Sequence, residues 1–180
     1  MPTQRINAGA YVLEREVVEA MEPGRPISFE REVFPGLVGD GLYGYAAAGY
    51  WIDIGTPDRY LESTYDLLAG TVENELPPRD VTGSLLYEGS LTSGAHIGPQ
   101  TVLGRHCSVG VDSNVERSVL FDRVIVGADV NIRESVLAEE VRVADGAEVG
   151  PDAVIGRGAR IAAGARVEPG ARIAPEEQVG

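Results

Sequence analysis

The sequence is short of several things, and each shortage excludes something. It has one cysteine in 180 residues, Cys107, so it forms no internal disulfide and no cysteine-built zinc cage. Such cysteine usage fits a reducing compartment, and a cytoplasmic location is expected. Basic residues are few, 15 Lys+Arg against 28 Asp+Glu, for a formal charge of −13. A chain that acidic does not hold a phosphate backbone by bulk charge, so nucleic acid is not an expected partner. No apolar run approaches the ~20 residues that a membrane-spanning helix needs, so no membrane partner is expected. Charged residues within the first twenty (Arg5, Glu14, Arg15, Glu16, Glu19) argue against a signal peptide.

What is abundant is glycine, 23 residues, in a chain where ~7% usage would be ordinary. Dense glycine with an ordinary hydrophobic fraction of 43% points to a repeat with many turns. The repeat is visible in residues 85–120 written in sixes: LLYEGS, LTSGAH, IGPQTV, LGRHCS, VGVDSN, VERSVL. The first letter is aliphatic each time, from Leu85 and Leu91 through Ile97, Leu103 and Val109 to Val115. The fifth is small until Val119. Residues 143–178 repeat the pattern, with Val143, Val149, Ile155, Ile161, Val167 and Ile173 first, and alanine fifth from Ala147 to Ala171.

Neither a helix nor a single strand has a period of six. A triangular solenoid does: each hexad makes a short strand and a corner, and three hexads make one coil of eighteen residues. The aliphatic points inward, and the small residue sits where a larger one would strike the next coil. Glycine at the second position (Gly98, Gly104, Gly110, Gly150, Gly156) is expected there for backbone angles that other residues resist. Ninety-six residues at eighteen per coil give about five coils. Between the two series the register slips. RSVLFDRVIVGADV aligns with ESVLAEEVRVADGAEV seventeen residues later, so the middle coils are expected to be about seventeen residues long with one side altered.

Residues 1–70 read differently. INAGAYVL alternates as a strand, and EREVVEAM is a short helix stopped by Pro23-Gly24. Ser28 is placed to cap a second short helix through Val33, before Pro35. LYGYAA and GYWIDI read as two strands of a hairpin around Gly49. TPDRYLESTYDLLAG is a helix with Thr56 as N-cap, Pro57 at N1, Asp58 at the positive dipole end and Gly70 as its stop. Tyr60, Leu61, Thr64, Leu67 and Leu68 give it one apolar face. Residues 71–84, with Pro77-Pro78, read as a linker. The expected organisation is therefore a small α+β segment over 1–70, a linker over 71–84 and a mainly β solenoid over 85–180.

Hexads of this sort resemble the left-handed parallel β-helix. The segments Ile6-Asn7-Ala8-Gly9-Ala10-Tyr11, Ser28-Phe29-Glu30-Arg31-Glu32-Val33-Phe34-Pro35 and Tyr50-Trp51-Ile52-Asp53-Ile54-Gly55-Thr56-Pro57 resemble the end of a sugar-phosphate nucleotidyltransferase catalytic domain. In this order, and followed by the hexads, they look most like the bacterial mannose-1-phosphate guanylyltransferases. The resemblance implies that Asn7 contacts the sugar-phosphate, that Gly9 lets the chain pass close to the sugar, and that Asp53 is a catalytic Mg²⁺ ligand. It implies attack of a sugar-1-phosphate on the α-phosphate of an NTP with release of pyrophosphate, and a homo-oligomeric protein. The family's Gly-rich nucleotide loop, its first metal carboxylate and its Glu-Lys-Pro sugar motif are missing from this sequence. The expectation is a C-terminal fragment that is inactive alone.

Each residue also has a plainer reading. Asp53 suits a hydrogen bond to the Gly55-Thr56 turn, Asn7 a strand end, and Glu30 the first turn of a helix. Trp51 suits packing against the solenoid or the long helix. His96 and His106 bear on a rival reading, a hexapeptide acyltransferase using a histidine base, but both fall at outward or corner positions. Cys107 occupies the small slot and reads as packing. Glu134, Glu139 and Glu140 read as a solvated face. A third reading is a non-catalytic module that oligomerises or binds a partner.

Overall fold

The computed structural model describes residues 5–80 and 82–180. The chain divides into two compact units, Met1–Trp51 and Ile52–Gly180.

In the first unit, helix α1 (Arg15–Glu19) is followed by one π-helical turn, Phe29–Val33, which runs into α2 (Phe34–Leu37). The Ser28 hydroxyl caps that turn, accepting from the Arg31 N–H at 3.3 Å. Pro35 does not stop the helix. It falls in the first turn of α2, where a missing N–H costs nothing. The strands expected at INAGAYVL and in the LYGYAA/GYWIDI hairpin are absent: residues 5–14 and 42–48 carry neither helix nor strand. A strand exists only by pairing, and no ladder forms among the described residues here. Val12, Tyr43 and Tyr45 are almost fully exposed.

The second unit opens with α3 (Pro57–Ala69), the helix the sequence predicts. Gly70 ends it in the left-handed conformation at φ 76°, and the Thr71 N–H returns to the Asp66 carbonyl at 3.0 Å, satisfying an orphan acceptor of the last turn. Thr56 holds the N-cap position but its side chain makes no cap bond to the backbone; it bonds Asp58 instead, which holds that carboxyl below its ordinary range. Of the expected linker, residue 81 lies outside the described residues. The stretch before it is tethered: the Asn74 amide and the Arg79 guanidinium both donate to the Leu67 carbonyl at 3.1 Å.

From Leu85 onward the chain is a parallel β-solenoid of about six turns with three sides. The first side carries Leu85–Leu86, Val102–Leu103, Val119–Leu120, Val136–Leu137, Val154–Ile155 and Arg172–Ile173. The second carries Ser108–Val109, Ile125–Val126, Arg142–Val143, Arg160–Ile161 and Gln178–Val179. The third carries His96–Ile97, Asn114–Glu116, Asn131–Arg133, Glu148–Val149 and Arg166–Val167. Register fixes the coil lengths. Leu86, Leu103, Leu120 and Leu137 stack in steps of seventeen residues, then Ile155 and Ile173 follow in steps of eighteen. Five coils close and a sixth begins. The slip to seventeen falls where expected, around the two three-residue strands of the third side. It also reaches the first coil, so Leu86, not Leu85, stacks beneath Leu103. Leu85 and Leu91 thus lie one residue off the inward column, and Leu91 is 65% exposed.

The core is a column of aliphatics with no room to spare. Leu103, Leu120, Ile132, Leu137 and Ile155 are fully buried. The small slot behaves as predicted, with Cys107, Ser113, Ala147, Ala153 and Ala159 buried in it. Second-position glycines are required for a different reason from the one expected. Their φ is not positive; a Cβ on Gly110 would sit 2.5 Å from the Gly127 carbonyl oxygen, and one on Gly156 would sit 2.5 Å from the Pro175 nitrogen. The next coil's backbone simply occupies that space. Left-handed angles belong to the corners, where non-glycine residues carry them, among them His106 (φ 58°) and Asp129 (φ 55°), at a cost of ~1–2 kcal/mol each.

Buried hydroxyls bind coil to coil. The Ser113 hydroxyl donates to the Gly127 carbonyl at 2.7 Å and accepts from the Val130 N–H at 3.0 Å. Ser84 does the same with the Gly98 carbonyl and the Thr101 N–H. Among the described residues no buried side-chain polar atom lacks a partner.

The outward positions of the first five strands of the first side are apolar, Leu85, Val102, Val119, Val136 and Val154, and Arg172 follows on the sixth. Leu85 and Val119 are nonetheless buried, as are Leu61 and Leu68 of α3. The helix is pinned to the solenoid by Tyr65, whose hydroxyl donates to the Arg117 carbonyl at 2.5 Å while the Arg117 guanidinium lies 4.2 Å from its ring centre. Burial pushes the Tyr65 phenol up to about 12. Tyr65, absent from the apolar face read from the sequence, is its main anchor. No helix among the described residues is long and apolar enough to cross a membrane.

Candidate functional site

In the first unit three residues make one chain of hydrogen bonds. The Asn7 side-chain oxygen accepts from the Gly9 N–H at 2.9 Å, and its amide nitrogen donates to the Tyr11 hydroxyl at 2.7 Å. That hydroxyl in turn donates to Glu30 Oε1 at 2.7 Å. The first link is an Asx turn, which sets the Asn7 side chain against its own backbone. Gly9 takes φ +73°, and nothing lies within 4 Å of where its Cβ would be. Glycine is needed here for the backbone angle, and the space beside it is open. Tyr11 is positioned by aromatic contacts, its ring 4.8 Å from that of Phe34, edge to face, and 6.2 Å from that of Phe29.

Glu30 lies in the first turn of its helix, as its plainer reading has it, but also anchors this chain. The hydrogen bond from Tyr11 holds the Glu30 carboxyl below its ordinary range and, reciprocally, raises the Tyr11 phenol. The Ser28 hydroxyl reaches the other carboxylate oxygen at 3.2 Å. With both Glu30 oxygens and the Tyr11 hydroxyl occupied, the Asn7 amide has one fixed orientation. Its second N–H and the second lone pair of its oxygen remain free for a sugar hydroxyl or a phosphate oxygen. Sequence reasoning singled out Asn7 and Gly9 but not Tyr11 or the second role of Glu30. No spacing in the sequence links positions 11 and 30.

Asp53 belongs to the second unit. Its Oδ1 accepts from the Gly55 N–H at 2.9 Å, the turn bond of its plainer reading. The turn delivers the chain into α3 two residues later. Among the described residues no hydrogen-bond donor reaches the other Asp53 oxygen. Among the described residues no three histidine, cysteine or acidic side chains group to hold a metal ion. Magnesium is bound by oxygen, commonly through one or two carboxylates together with substrate phosphates, and the Asp53 carboxylate is of that donor type.

The remaining candidates are placed as follows. Cys107 is buried, its thiol donates to the Phe121 carbonyl at 3.0 Å, and burial pushes its pKa up, so it packs and does not react. His96 faces outward on the third side and His106 holds a left-handed corner. Glu134 and Glu140 are solvated but paired, with Arg117 at 3.1 Å and with Arg123 and Arg157 at 2.8 and 3.3 Å. Trp51, expected to pack, is instead half exposed at 50%.

Comparison with known proteins bears on both halves. A family described as "GlmU-like, C-terminal hexapeptide" matches residues 71–156. The mannose-1-phosphate guanylyltransferase of Mycobacterium tuberculosis is 40% identical over 131 residues, 71% of this chain and 36% of that protein. The mannose-1-phosphate guanyltransferase of Schizosaccharomyces pombe is 38% identical over 98 residues, 51% of this chain and 27% of that protein. A glucose-1-phosphate adenylyltransferase from Trichlorobacter lovleyi is 29% identical over 79% of this chain and 45% of its own length. Among solved structures, the acetyltransferase domain of PglB from Neisseria gonorrhoeae covers 80% of this chain and 64% of that chain, at 20% identity and a TM-score of 0.47. The chain is related to the sugar-phosphate nucleotidyltransferases, and it spans about a third of the length of the mannose-1-phosphate guanylyltransferase it matches over 131 residues.

Proposed function

We propose that this chain supplies the sugar-phosphate side and the solenoid of a sugar-1-phosphate nucleotidyltransferase of the mannose-1-phosphate guanylyltransferase kind. The observation that carries the reading is the Asn7–Tyr11–Glu30 hydrogen-bond chain beside the open backbone at Gly9. It presents an oriented amide, with free donor and acceptor capacity, at a place where a sugar can approach. The curated relatives supply the reaction class. In that reaction a phosphate oxygen of the sugar-1-phosphate attacks the α-phosphorus of an NTP. A new P–O bond forms and the bond to the departing pyrophosphate breaks.

Such transfer depends on alignment and on neutralising charge more than on a covalent protein group. This chain's part is alignment. Asn7 fixes one face of the sugar-phosphate, and Gly9 keeps the approach clear. Asp53 would offer a carboxylate oxygen to Mg²⁺. The nucleotide is held elsewhere, by a Gly-rich loop that this sequence lacks, so the chain turns over nothing alone. The reading includes a self-associating protein in the cytoplasm.

Reconstitution tests it. Mixed with the nucleotide-binding half of a mannose-1-phosphate guanylyltransferase, the chain is expected to restore Mg²⁺-dependent release of pyrophosphate from GTP and mannose-1-phosphate. Asp53→Ala should abolish that release, and Asn7→Ala should raise the KM for the sugar-phosphate. A folded mixture with no turnover would sink the reading, and the solenoid would then be a binding module.

A further inference from the structure

The chain has no lysine, and its 15 Lys+Arg residues are all arginine. On the solenoid they follow one rule with two exceptions. Arg105, Arg117, Arg123, Arg133, Arg157, Arg166 and Arg172 each meet an acid from a neighbouring coil, at 2.8–3.9 Å. Each of these cations is thus answered by an acid one coil away. Arg142 and Arg160 are the two that are not. They lie in register on adjacent strands of the second side, arginine over arginine. Neighbouring strands lie ~4.8 Å apart, and like charges directly opposite one another destabilise a sheet. Among the described residues neither arginine has an ion pair or a side-chain hydrogen bond. In a chain with 28 acidic residues, this is a conspicuous place to leave two cations stacked without one.

The two arginines line a surface cleft of about 480 Å³, with Arg123, Glu140, His106 and Glu176 around it and Ile125 and Gly158 in its lining. That volume falls in the range of small-molecule sites, ~300–1,000 Å³. The charges of Arg123 and Arg157 are answered by Glu140. Glu176 folds over Gly158, where a Cβ would meet its carboxylate at 2.4 Å, and forms no ion pair with either stacked arginine. Ile125, 39% exposed, gives the cleft an apolar patch beside the charge.

We propose that Arg142 and Arg160 form an anion site that takes the phosphate or diphosphate group of a small molecule. Two guanidinium forks carried on adjacent strands in register can meet the several oxygens of such a group, each fork bonding two of them. Binding removes the repulsion that the stacking costs, so the empty site is the less stable one. The site lies on the solenoid and does not depend on the reading given to Asn7 and Asp53.

The test uses the whole chain. Pyrophosphate is expected to raise the Tm and to bind saturably by calorimetry, with inorganic phosphate weaker. GDP at or above the pyrophosphate affinity identifies a nucleotide as the source, and GDP below it identifies the free anion. Arg160→Glu gives Arg142 the acid partner that the other solenoid arginines have, so it should fold with an unchanged or higher Tm and bind pyrophosphate about tenfold or more weakly. Arg142→Gln/Arg160→Gln should lose binding likewise. Arg166→Gln, on the third side, should keep it. Three results would overturn the proposal. One is equal response of wild type and Arg160→Glu. Another is a rise in Tm that sodium chloride matches at the same ionic strength. The last is no response to pyrophosphate together with a self-association that Arg160→Glu abolishes, which would assign the arginines to the acids of a second copy.

Discussion

The two units answer the same demand in opposite ways. Backbone N–H and carbonyl groups need partners, and apolar side chains need cover. In the solenoid each coil finds both in the coil before and after it, so two-residue strands suffice to build sheets of five and six. In residues 5–51 the extended stretches have no such neighbour, and none of their hydrophobic side chains is fully buried. A sequence that alternates like a strand is therefore only a candidate for one. The difference lies in whether the partner is close in the chain, as it is at seventeen or eighteen residues, or must come from elsewhere.

Limited proteolysis should break the comparison open first. Chymotrypsin is expected to cut after Tyr43 and Tyr45, which are 91% and 95% exposed, well before any site in residues 85–180. Early cleavage inside the coils would refute it. Next, Leu120→Ala, at a fully buried position, should lower solenoid stability by ~2–5 kcal/mol in denaturant unfolding, the range for such truncations, whereas Val12→Ala should change nothing. Gly156→Ala should cost ~1–3 kcal/mol, as overpacking does, because its methyl would meet the Pro175 nitrogen at 2.5 Å. A neutral result would show that the coils can slide apart.

Tyr65 sharpens the comparison further, since it fastens a helix to the solenoid. Tyr65→Phe removes its bond to the Arg117 carbonyl and should cost ~1 kcal/mol. The same residue predicts a pH dependence. Its phenol is raised from 10.0 to about 12 by burial. A raised folded-state pKa means that the contribution is whole below pH 10 and is lost as pH rises towards 12. Wild type should therefore lose more stability than Tyr65→Phe across that window. The smallest effect is expected at Glu140→Gln, which releases Arg123 and Arg157 at an exposed position and should leave unfolding within error of wild type.

The solenoid was legible because its cause is local and repeated. Six-residue spacing of Ile97, Leu103, Val109 and Val115 is a direct image of three flat sides and three corners. The seventeen-residue offset carried the register as well. Two things were legible only in part. Leu85 and Leu91 continue the aliphatic series by letter but lie one residue off the core column, because a seventeen-residue coil does not divide into sixes. The second-position glycines were visible, but not the backbone they admit, which belongs to another coil. At the candidate site, Asn7, Gly9 and Asp53 stood in recognisable strings. Tyr11 and Glu30 are joined by a hydrogen bond that spans nineteen residues with no repeat to announce it.

The small slot of the hexad has a consequence for how this chain tolerates mutation. Ala147, Ala153 and Ala159 share it with Ser113 and Thr101, and by size the residues are interchangeable. They are not equivalent in chemistry. Ser113 answers both a carbonyl and an N–H of the neighbouring coil, so drift from serine to alanine strands a buried donor, at ~1–3 kcal/mol. Drift from alanine to serine at Ala153 brings a hydroxyl to a coil whose backbone is already paired. The repeat is thus degenerate when read as a pattern of volumes and specific when read as a pattern of valences. Its coils can be copied in whole turns far more safely than their letters can be exchanged.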